Sequence, residues 1–292
     1  MALLSLPLGG FAQQSVCGDV NSSGAVDIDD VNAMINIMLD KAAPTAGSDV
    51  NGDGAVDIDD LNVVINVILG KDGGGSQAEG DWVDLGLPSG TLWASRNIGA
   101  ATPEDYGDYF AWGETAPKEA YKQGTYKWWK EGFFIEAGDG IIYWHWDGNT
   151  KYCTNTNYGY DGFADDKTEL DITDDAAAAN WGGGARMPSM EQIKELLDEC
   201  SWQWTCRDVG EGESVTGQLV TGPNGNSIFL PAAGYRWNGS LYGAGYCGYY
   251  WSRTLGAYYD DCAYFLIFGD GGAGWDYYYR YYGRTVRAVR VP

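Results

Sequence analysis

Residues 250–290 read YWSRTLGAYYDDCAYFLIFGDGGAGWDYYYRYYGRTVRAVR. Thirteen of the chain's 21 tyrosines lie between Tyr235 and Tyr282. From 232 to 283 there is no Lys, Glu, Gln, Met, His or Pro, although Lys and Glu are among the commonest residues of ordinary domains. Tyr, Gly, Asp, Cys, Ala, Ser, Phe, Ile, Asn and Arg fill the stretch around the anchors Trp237, Trp251, Leu255, Leu266, Phe268, Trp275, Arg280 and Arg284. Such a mixture suits a binding surface, because Tyr gives a large, rigid, amphipathic contact and Gly, Ser and Asn adapt around it. Residues 262–268 alternate as a strand does. With Tyr264, Leu266 and Phe268 toward the core, Phe265 and Ile267 are expected to face outward. The alternative is a strand buried on both faces.

The composition has a codon explanation. Randomising the two adenines of an AAC or AAT codon can give Tyr, Asp, Gly, Cys, Ser, Ala, Phe, Ile, Arg or Asn. It never gives Lys, Glu, Gln, Met, Trp or a stop. Residues 256–262, Phe265, Ile267, 269–272, 276–279, Tyr281 and Tyr282 all fall inside that set. Three motifs then carry a resemblance: Tyr250-Trp251-Ser252; Ala263-Tyr264-x-Leu266-x-Phe268; and Arg280-x-x-Gly283-Arg284-x-Val286-Arg287-x-Val289-Arg290. Together they resemble the variable region of proteins diversified by diversity-generating retroelements, which carry C-type-lectin-like domains in gut bacteria and phages. The resemblance implies a variable region of about 242–283. Its ligand face would comprise Tyr242, Tyr246, Tyr249, Arg253, Tyr258, Tyr259, Asp260, Asp261, Phe265, Ile267, Asp270, Asp276, Tyr277, Tyr278, Tyr279, Tyr281 and Tyr282. The other reading of the same letters is an ordinary Tyr/Gly-rich β-domain whose composition has drifted.

Upstream, residues 82–93 are strand-like around a Pro88-Ser89-Gly90 turn. With residues 105–115 they resemble repeated paralogous domains of gut bacteria that have the C-type-lectin-like fold. Residues 128–146 are aromatic-rich, and residues 158–181 are acidic, Ala-rich and expected at the surface. In residues 186–197 Ser189 is a candidate N-cap with Gln192 as its capping-box partner, and Met190, Ile193, Leu196 and Leu197 give one apolar helix face. This segment looks like the Arg-Leu-Pro-Thr helix of formylglycine-generating-type C-type-lectin domains. Residues 227–234 read as a buried strand. Few helices and long irregular segments predict an α+β, C-type-lectin-like domain over 81–292.

The N-terminal part is a repeat. Gly18-Asp-Val-Asn-Ser-Ser-Gly-Ala-Val-Asp-Ile-Asp-Asp30 recurs as Ser48-Asp-Val-Asn-Gly-Asp-Gly-Ala-Val-Asp-Ile-Asp-Asp60. Each copy alternates oxygen-bearing residues, has Gly at the sixth position (Gly24, Gly54), and precedes a helix-period run, as calcium loops do. The expected ligands are Asp19, Asn21, Ser23, the Ala25 carbonyl, Asp27 and Asp30 in loop one. In loop two they are Asp49, Asn51, Asp53, the Ala55 carbonyl, Asp57 and Asp60. Val31, Met34, Ile35, Met38 and Leu39, and then Leu61, Val64, Ile65, Ile68 and Leu69, are the expected apolar faces. Asp at the twelfth position and a loop–helix repeat lacking an entering helix resemble the dockerin family. That resemblance covers residues 17–71 and implies a small all-α module folded by two Ca²⁺ ions, with a cohesin-like partner. Ser23 departs from the usual Asp, so loop one is expected to be the weaker site. Ile28-Asp29 and Ile58-Asp59 stand where many dockerins carry the hydroxyl pairs of cohesin contact.

The chain thus divides into a signal-peptide remnant (1–14), a dockerin-like domain (15–71), a Gly-rich linker (72–80) and the domain 81–292. A net charge of −23 opposes binding to nucleic acid or anionic membranes, and no apolar run is long enough to span a bilayer. The six cysteines form no C-x-x-C pair. Cys200 and Cys206 are near enough in sequence to be a disulfide candidate, which export would permit. His145, the one histidine, sits between Trp144 and Trp146 and reads as part of an aromatic cluster. Asp108 and Glu114 are carboxylates near aromatics, but no spacing marks a catalytic pair. The expectation is a secreted or cell-surface binding protein and not an enzyme, its ligand unspecified. The alternative is a glycan-binding module of fixed specificity in a surface polysaccharide-binding complex.

Overall fold

The computed structural model describes residues 19–21, 23, 25–45, 47–50, 55–68, 82–136, 142–210 and 213–291. The expected signal remnant and linker, Cys17, and the loop-two positions Asn51 and Asp53 lie outside them. The chain forms two compact units, Met1–Ala78 and Glu79–Pro292.

The first unit contains α1 (Ile28–Met38) and α2 (Ile58–Ile68). Asp27 caps α1, and with Asp30 it forms a reciprocal capping box, which satisfies two of the first-turn N–H groups. The core is Val20, Val31, Met34, Ile37, Val50, Leu61 and Val64. This corrects the expected face of α1: Ile35, Met38 and Leu39 are exposed, while Ile37 is buried. Asp30 is wholly buried against its loop. It sets the phase of the helix, so residues four and seven further on, Met34 and Ile37, turn inward with it. In α2, Leu61 and Val64 are buried and Ile65 packs beside them, whereas Ile68 is exposed. Leu69 lies outside the described residues.

The second unit is α+β, with small sheets and few helices. β1 (Trp82–Asp84) pairs with β2 (Leu92–Ala94) across the expected turn, where Gly90 has φ +71°. The last strand, β15 (Val289–Arg290), adds to β2 through Val289 and Trp93, so the two ends of the unit meet in one sheet. The aromatic segment supplies β3 (Trp129–Lys130), β4 (Phe133–Glu136), β5 (Ile142–His145) and β6 (Gly148–Asn149), paired β3 with β6 and β4 with β5. α3 (Ala176–Trp181) is short. α4 (Met190–Glu199) has the expected capping box, with Gln192 N–H donating to Ser189 Oγ at 3.2 Å and Ser189 N–H to Gln192 Oε1 at 2.9 Å. It buries Met190, Ile193 and Leu196.

β7 (Ser201–Gly210), β8 (Glu213–Thr221) and β9 (Ser227–Pro231) form an antiparallel sheet, with Ile228 to Leu230 buried as the sequence suggests. Cys200 precedes β7 and Cys206 lies within it. Six residues of extended chain separate them by roughly 20 Å, so they cannot pair, and both are free thiols.

The Tyr-rich stretch folds into a short hairpin and a three-stranded sheet. β10 (Tyr235–Trp237) and β11 (Ser240–Tyr242) turn through Asn238 (φ +48°) and Gly239 (φ +86°), the two positive φ values that a tight hairpin turn requires. β12 (Gly248–Leu255), β13 (Cys262–Gly269) and β14 (Gly272–Tyr279) follow in order, with β13 central.

β13 is covered on both sides. Leu266 and Phe268 pack with Met190, Ile193 and Leu196 of α4, and with Leu230, Trp93 and Tyr250. Phe265 packs on the other side with Trp112, Trp251, Met187 and Val286, and Ile267 lies against that same cluster. Phe265 is therefore buried where an outward aspect was expected, and Ile267 is half-buried. Alternation along a strand assigns residues to two faces but does not say that one of them is wet.

Indoles rivet the arrangement. Trp112 Nε1 donates to Ser252 O and Trp251 Nε1 to Phe110 O, each at 2.8 Å. Buried Arg287 donates to Asn97 Oδ1, Ala94 O and Phe229 O at 2.9–3.0 Å. The acidic segment 158–181, expected at the surface, also contributes to the core. Leu170, Asp174, Asp175, Ala176 and Ala177 are buried. Asp175 caps α3, accepts from Met187 N–H and pairs with Arg186.

Truncating either face of β13 should therefore cost the same kind of free energy. Phe265→Ala and Leu266→Ala should each lose roughly 3–5 kcal/mol in urea unfolding. A loss below about 0.5 kcal/mol for Phe265→Ala would restore it to the surface.

Candidate calcium loops and a tyrosine-lined face

Loop one brings its oxygens together. Ser23 N–H is shared by Asp19 Oδ1 and Asn21 Oδ1, each at 2.8 Å, so the first and third loop positions converge on one point. Ser23 Oγ donates to the Ala25 carbonyl at 3.1 Å. Asp30, at the twelfth position, accepts from Asn21 N–H (3.0 Å) and Asp27 N–H (2.9 Å), closing the loop onto α1. Loop two repeats the closure: Asp60, also wholly buried, accepts from Val50 N–H (2.7 Å) and Asp57 N–H (2.9 Å).

Among the described residues no three His, Cys, Asp or Glu side chains stand close enough to form a metal group by themselves. The loop-one set is mixed, however, with Asn21, Ser23 and the Ala25 carbonyl supplying half of its oxygens, and Asn51 and Asp53 of loop two lie outside the described residues. The donor chemistry fits calcium: oxygen donors only, with neither thiol nor imidazole. Two buried carboxylates turned into loops of this kind also suit a cation, because desolvated charge needs compensation.

The residues expected on the ligand face are dispersed. Tyr242, Tyr246, Tyr258, Tyr259, Tyr278, Tyr279, Asp270 and Asp276 are exposed, Tyr246 and Tyr258 most of all at 76% and 74%. Tyr249, Arg253, Asp261, Ile267, Tyr277, Tyr281 and Tyr282 are half-buried. Asp260 and Phe265 are buried and leave the face. Asp260 is a staple: its carboxylate accepts from Thr154 N–H and Asn155 N–H at 2.6 Å each, and from Thr154 Oγ1 at 2.9 Å. Arg253 is held by Glu169, the Met187 carbonyl and Gln192.

The tyrosines form two ring clusters and not one: β14 sends Trp275 and Tyr277 to one side of the sheet and Tyr278 to the other, and Tyr279, the last residue of the strand, meets the rings of Tyr278, Tyr281 and Tyr282. Tyr258, Tyr259, Tyr264, Trp275 and Tyr277 meet on the α4 side, with centroids 5.5–6.1 Å apart. On the other side Tyr235, Trp237, Tyr242, Tyr249, Tyr278, Tyr279, Tyr281 and Tyr282 form a larger cluster. Buried Arg284 lies beneath it, 3.3 Å from the Phe265 ring centroid and 4.4 Å from that of Trp251. Burial lowers the basicity of this guanidinium, while the surrounding ring faces offset part of the cost of its charge.

Beside the larger cluster is a pocket of about 180 Å³ lined by Gln123, Tyr126, Trp129, Asn149, Asp261, Tyr279, Arg280 and Tyr281. Sequence reasoning placed Asp261, Tyr279 and Tyr281 on the face but missed Gln123, Tyr126, Trp129 and Asn149. Only their aromatic-rich surroundings gave any signal. It also set Trp237 among the fixed anchors and outside the face, whereas this residue is exposed among the rings; the Asn238-Gly239 hairpin signal beside it could have indicated that. His145 stacks on Phe133 at 4.4 Å and meets Asp161 through Nδ1, but Trp144 and Trp146 are exposed, so the expected packing is only partial. Burial pushes the thiols of Cys153 and Cys200 up, to about 12 and about 11, away from reactive thiolate character.

Residues 17–69 match the family model of the dockerin type I domain. No curated protein and no solved structure matches the chain. Dockerin domains in general bind calcium and typically bind cohesin partners, and the module points to a role in extracellular or cell-surface assembly. Among the described residues no helix is long and apolar enough to cross a membrane.

Calcium should order the N-terminal module. Adding a chelator to the full chain should lower its helical circular dichroism, and calcium should restore it. Asp49→Ala with Asp57→Ala should weaken calcium affinity more than Asp19→Ala with Asp27→Ala, since loop two has the larger carboxylate count. Calorimetry that finds no calcium uptake would remove the assignment.

Proposed function

We propose that the chain is an exported ligand-binding protein. Its dockerin module, holding one Ca²⁺ in each loop, attaches it to a cell-surface assembly through a cohesin-like partner. Its second unit, of C-type-lectin-like type, presents aromatic patches to a ligand on another cell or on a phage. The observation that carries this reading is the exposure of Tyr242, Tyr246, Tyr258, Tyr259, Tyr278 and Tyr279 on a domain whose core is otherwise closed. Rings left in water at this density suggest an interaction surface, and tyrosine is the residue that serves it best.

The finer part of the proposal is that adenine-directed mutagenesis rewrites this face. The residue set of 256–282 supports it. Asp260 and Phe265 limit it, since a change at either reaches the interior and not the ligand.

Replacing Tyr242, Tyr246, Tyr258, Tyr259 and Tyr278 by Ser in the full chain should shift stability by no more than about 0.5 kcal/mol per site. The same variant should no longer retain bacterial cells or phage particles that the immobilised wild-type chain retains. A melting loss as large as that of Leu266→Ala would mean that these rings are packing. For the diversification, sequencing around the gene should find a near-copy of its 3′ end that differs at adenines. Absence of that copy would leave a binding protein of fixed specificity.

A further inference from the structure

The tyrosine-rich surface is one-sided in charge. From 232 to 284 the chain has no Lys, and its four arginines are withdrawn from the surface or already engaged. Arg280 and Arg284 are buried. Arg253 is held by Glu169, and half-buried Arg236 lies over the Tyr109 ring at 5.0 Å. The acids stay outside, Asp260 excepted. Asp270 and Asp276 are exposed and Asp261 is half-buried. Asp276 accepts from Tyr277 N–H at 2.8 Å, and Asp261 from the weak Cys262 Sγ donor at 3.5 Å. Among the described residues none of these three carboxylates forms an ion pair.

The three border the rings. Asp276 is on the side of β14 that carries Tyr278. Asp261 and Asp270 flank β13 at its two ends, roughly 30 Å apart for an extended strand. Asp261 adjoins Tyr279, and its charge is the leading cause that holds this phenol above its usual range. At the Asp270 end, a Cβ on Gly269 would lie 3.2 Å from the Tyr246 carbonyl, and the Tyr246 ring is 76% exposed.

Charge decides the kind of partner. A neutral or apolar partner that covered this face would bury carboxylates without a counter-charge, which costs free energy. An acidic partner would add repulsion. A basic partner supplies the counter-charges, and its cations also meet ring faces, on which Arg in particular can stack. One small cation cannot engage groups spread over this length, whereas several basic side chains on one protein surface can. The net charge of −23 also draws such a partner in from a distance.

We infer that the tyrosine-rich face docks a basic protein surface, with Asp261, Asp270 and Asp276 pairing its Lys and Arg side chains and the exposed rings covering their cations. The inference rests on reading the second unit as a ligand-binding module, and names the kind of partner.

NMR titration of the full chain tests it, with a capped peptide of alternating Gly and Arg as the probe. Peptides with citrulline or Glu in place of Arg serve as comparisons. The titrations are run at physiological salt, where a Debye length of about 8 Å screens distant acids. The Arg peptide should bind at least about tenfold more tightly than the citrulline peptide, and the Glu peptide should not bind. Asp270→Asn with Asp276→Asn should raise the Kd of the Arg peptide about fivefold or more with the melting temperature unchanged. Asp261→Asn should weaken binding as well. Asp270 and Asp276 are exposed, so their variant keeps the test valid if Asp261→Asn fails to fold. Asp198→Asn with Glu199→Gln makes the same charge change at exposed positions of α4, on the opposite side of the sheet from Tyr278. It should leave the Kd within about twofold. Failure of the Arg peptide to bind overturns the inference, as does equal binding of the citrulline peptide. Equal weakening by the α4 variant also overturns it, since the acidic surface at large would then attract the peptide. If the Arg peptide does not bind but the tyrosine-to-serine variant still loses cell capture, the ligand-binding reading stands and only the inference falls. If Arg-peptide binding depends on the three acids while cell capture is indifferent to the tyrosines, the inference stands and the cell or phage ligand falls.

Discussion

Burial of β13 on both faces is the constraint from which the second unit is built. Leu266 and Phe268 close one core with α4, and Phe265 helps to close the other beneath Trp251 and Val286. Along this central strand only Tyr264, Ile267 and Gly269 keep partial exposure. Exposure is left to its neighbours: the edge strand β14, the 256–261 turn and the β10–β11 hairpin. Alternation along β14 separates Trp275 and Tyr277 from Tyr278, while Tyr279, where the strand ends, joins the rings of Tyr278 and Tyr281. Gly248 shows how tight the fit is, since a Cβ there would lie 2.1 Å from the Phe268 ring.

A domain with so little regular structure needs partners for its backbone N–H groups from elsewhere. Buried side chains provide them. Asp260 collects the N–H groups of 154 and 155, and Asp175 those of 177, 178 and 187. Arg287 collects carbonyls from two separate segments. These charged groups act as rivets between loops. The abundance of Asp in this chain is therefore partly structural and not only a solvated surface. The same economy separates Asp260 from Asp261: neighbours in sequence, one is consumed by the fold and the other faces a pocket.

The N-terminal unit follows a related rule at smaller scale. Its core is only a handful of aliphatic residues, and a module of that size usually needs a metal or another staple. Asp30 and Asp60 couple the loops to the helices, so the residue that would ligate calcium is also the residue that fixes the phase of its helix.

The sequence by itself determined what depends on local spacing. The doubled loop at 19–30 and 49–60, the Ser189–Gln192 cap, the strands at 82–93 and 227–231, and the strand character of 262–268 are set by neighbours a few residues apart, and all could be read from the letters. The dockerin identity of residues 17–69 was legible for the same reason. Tertiary structure decided which apolar residues were wet. Phe265 and Ile35 obeyed their local periodicity, yet one was buried and the other exposed, because burial depends on what packs from distant parts of the chain. It also decided that Asp260 is a staple, that Cys200 and Cys206 lie at opposite ends of an extended run, and that Gln123 and Trp129 meet Tyr281 across a pocket. Contacts between segments more than a hundred residues apart leave no period in a single sequence, so that part of the site could only be found in the fold.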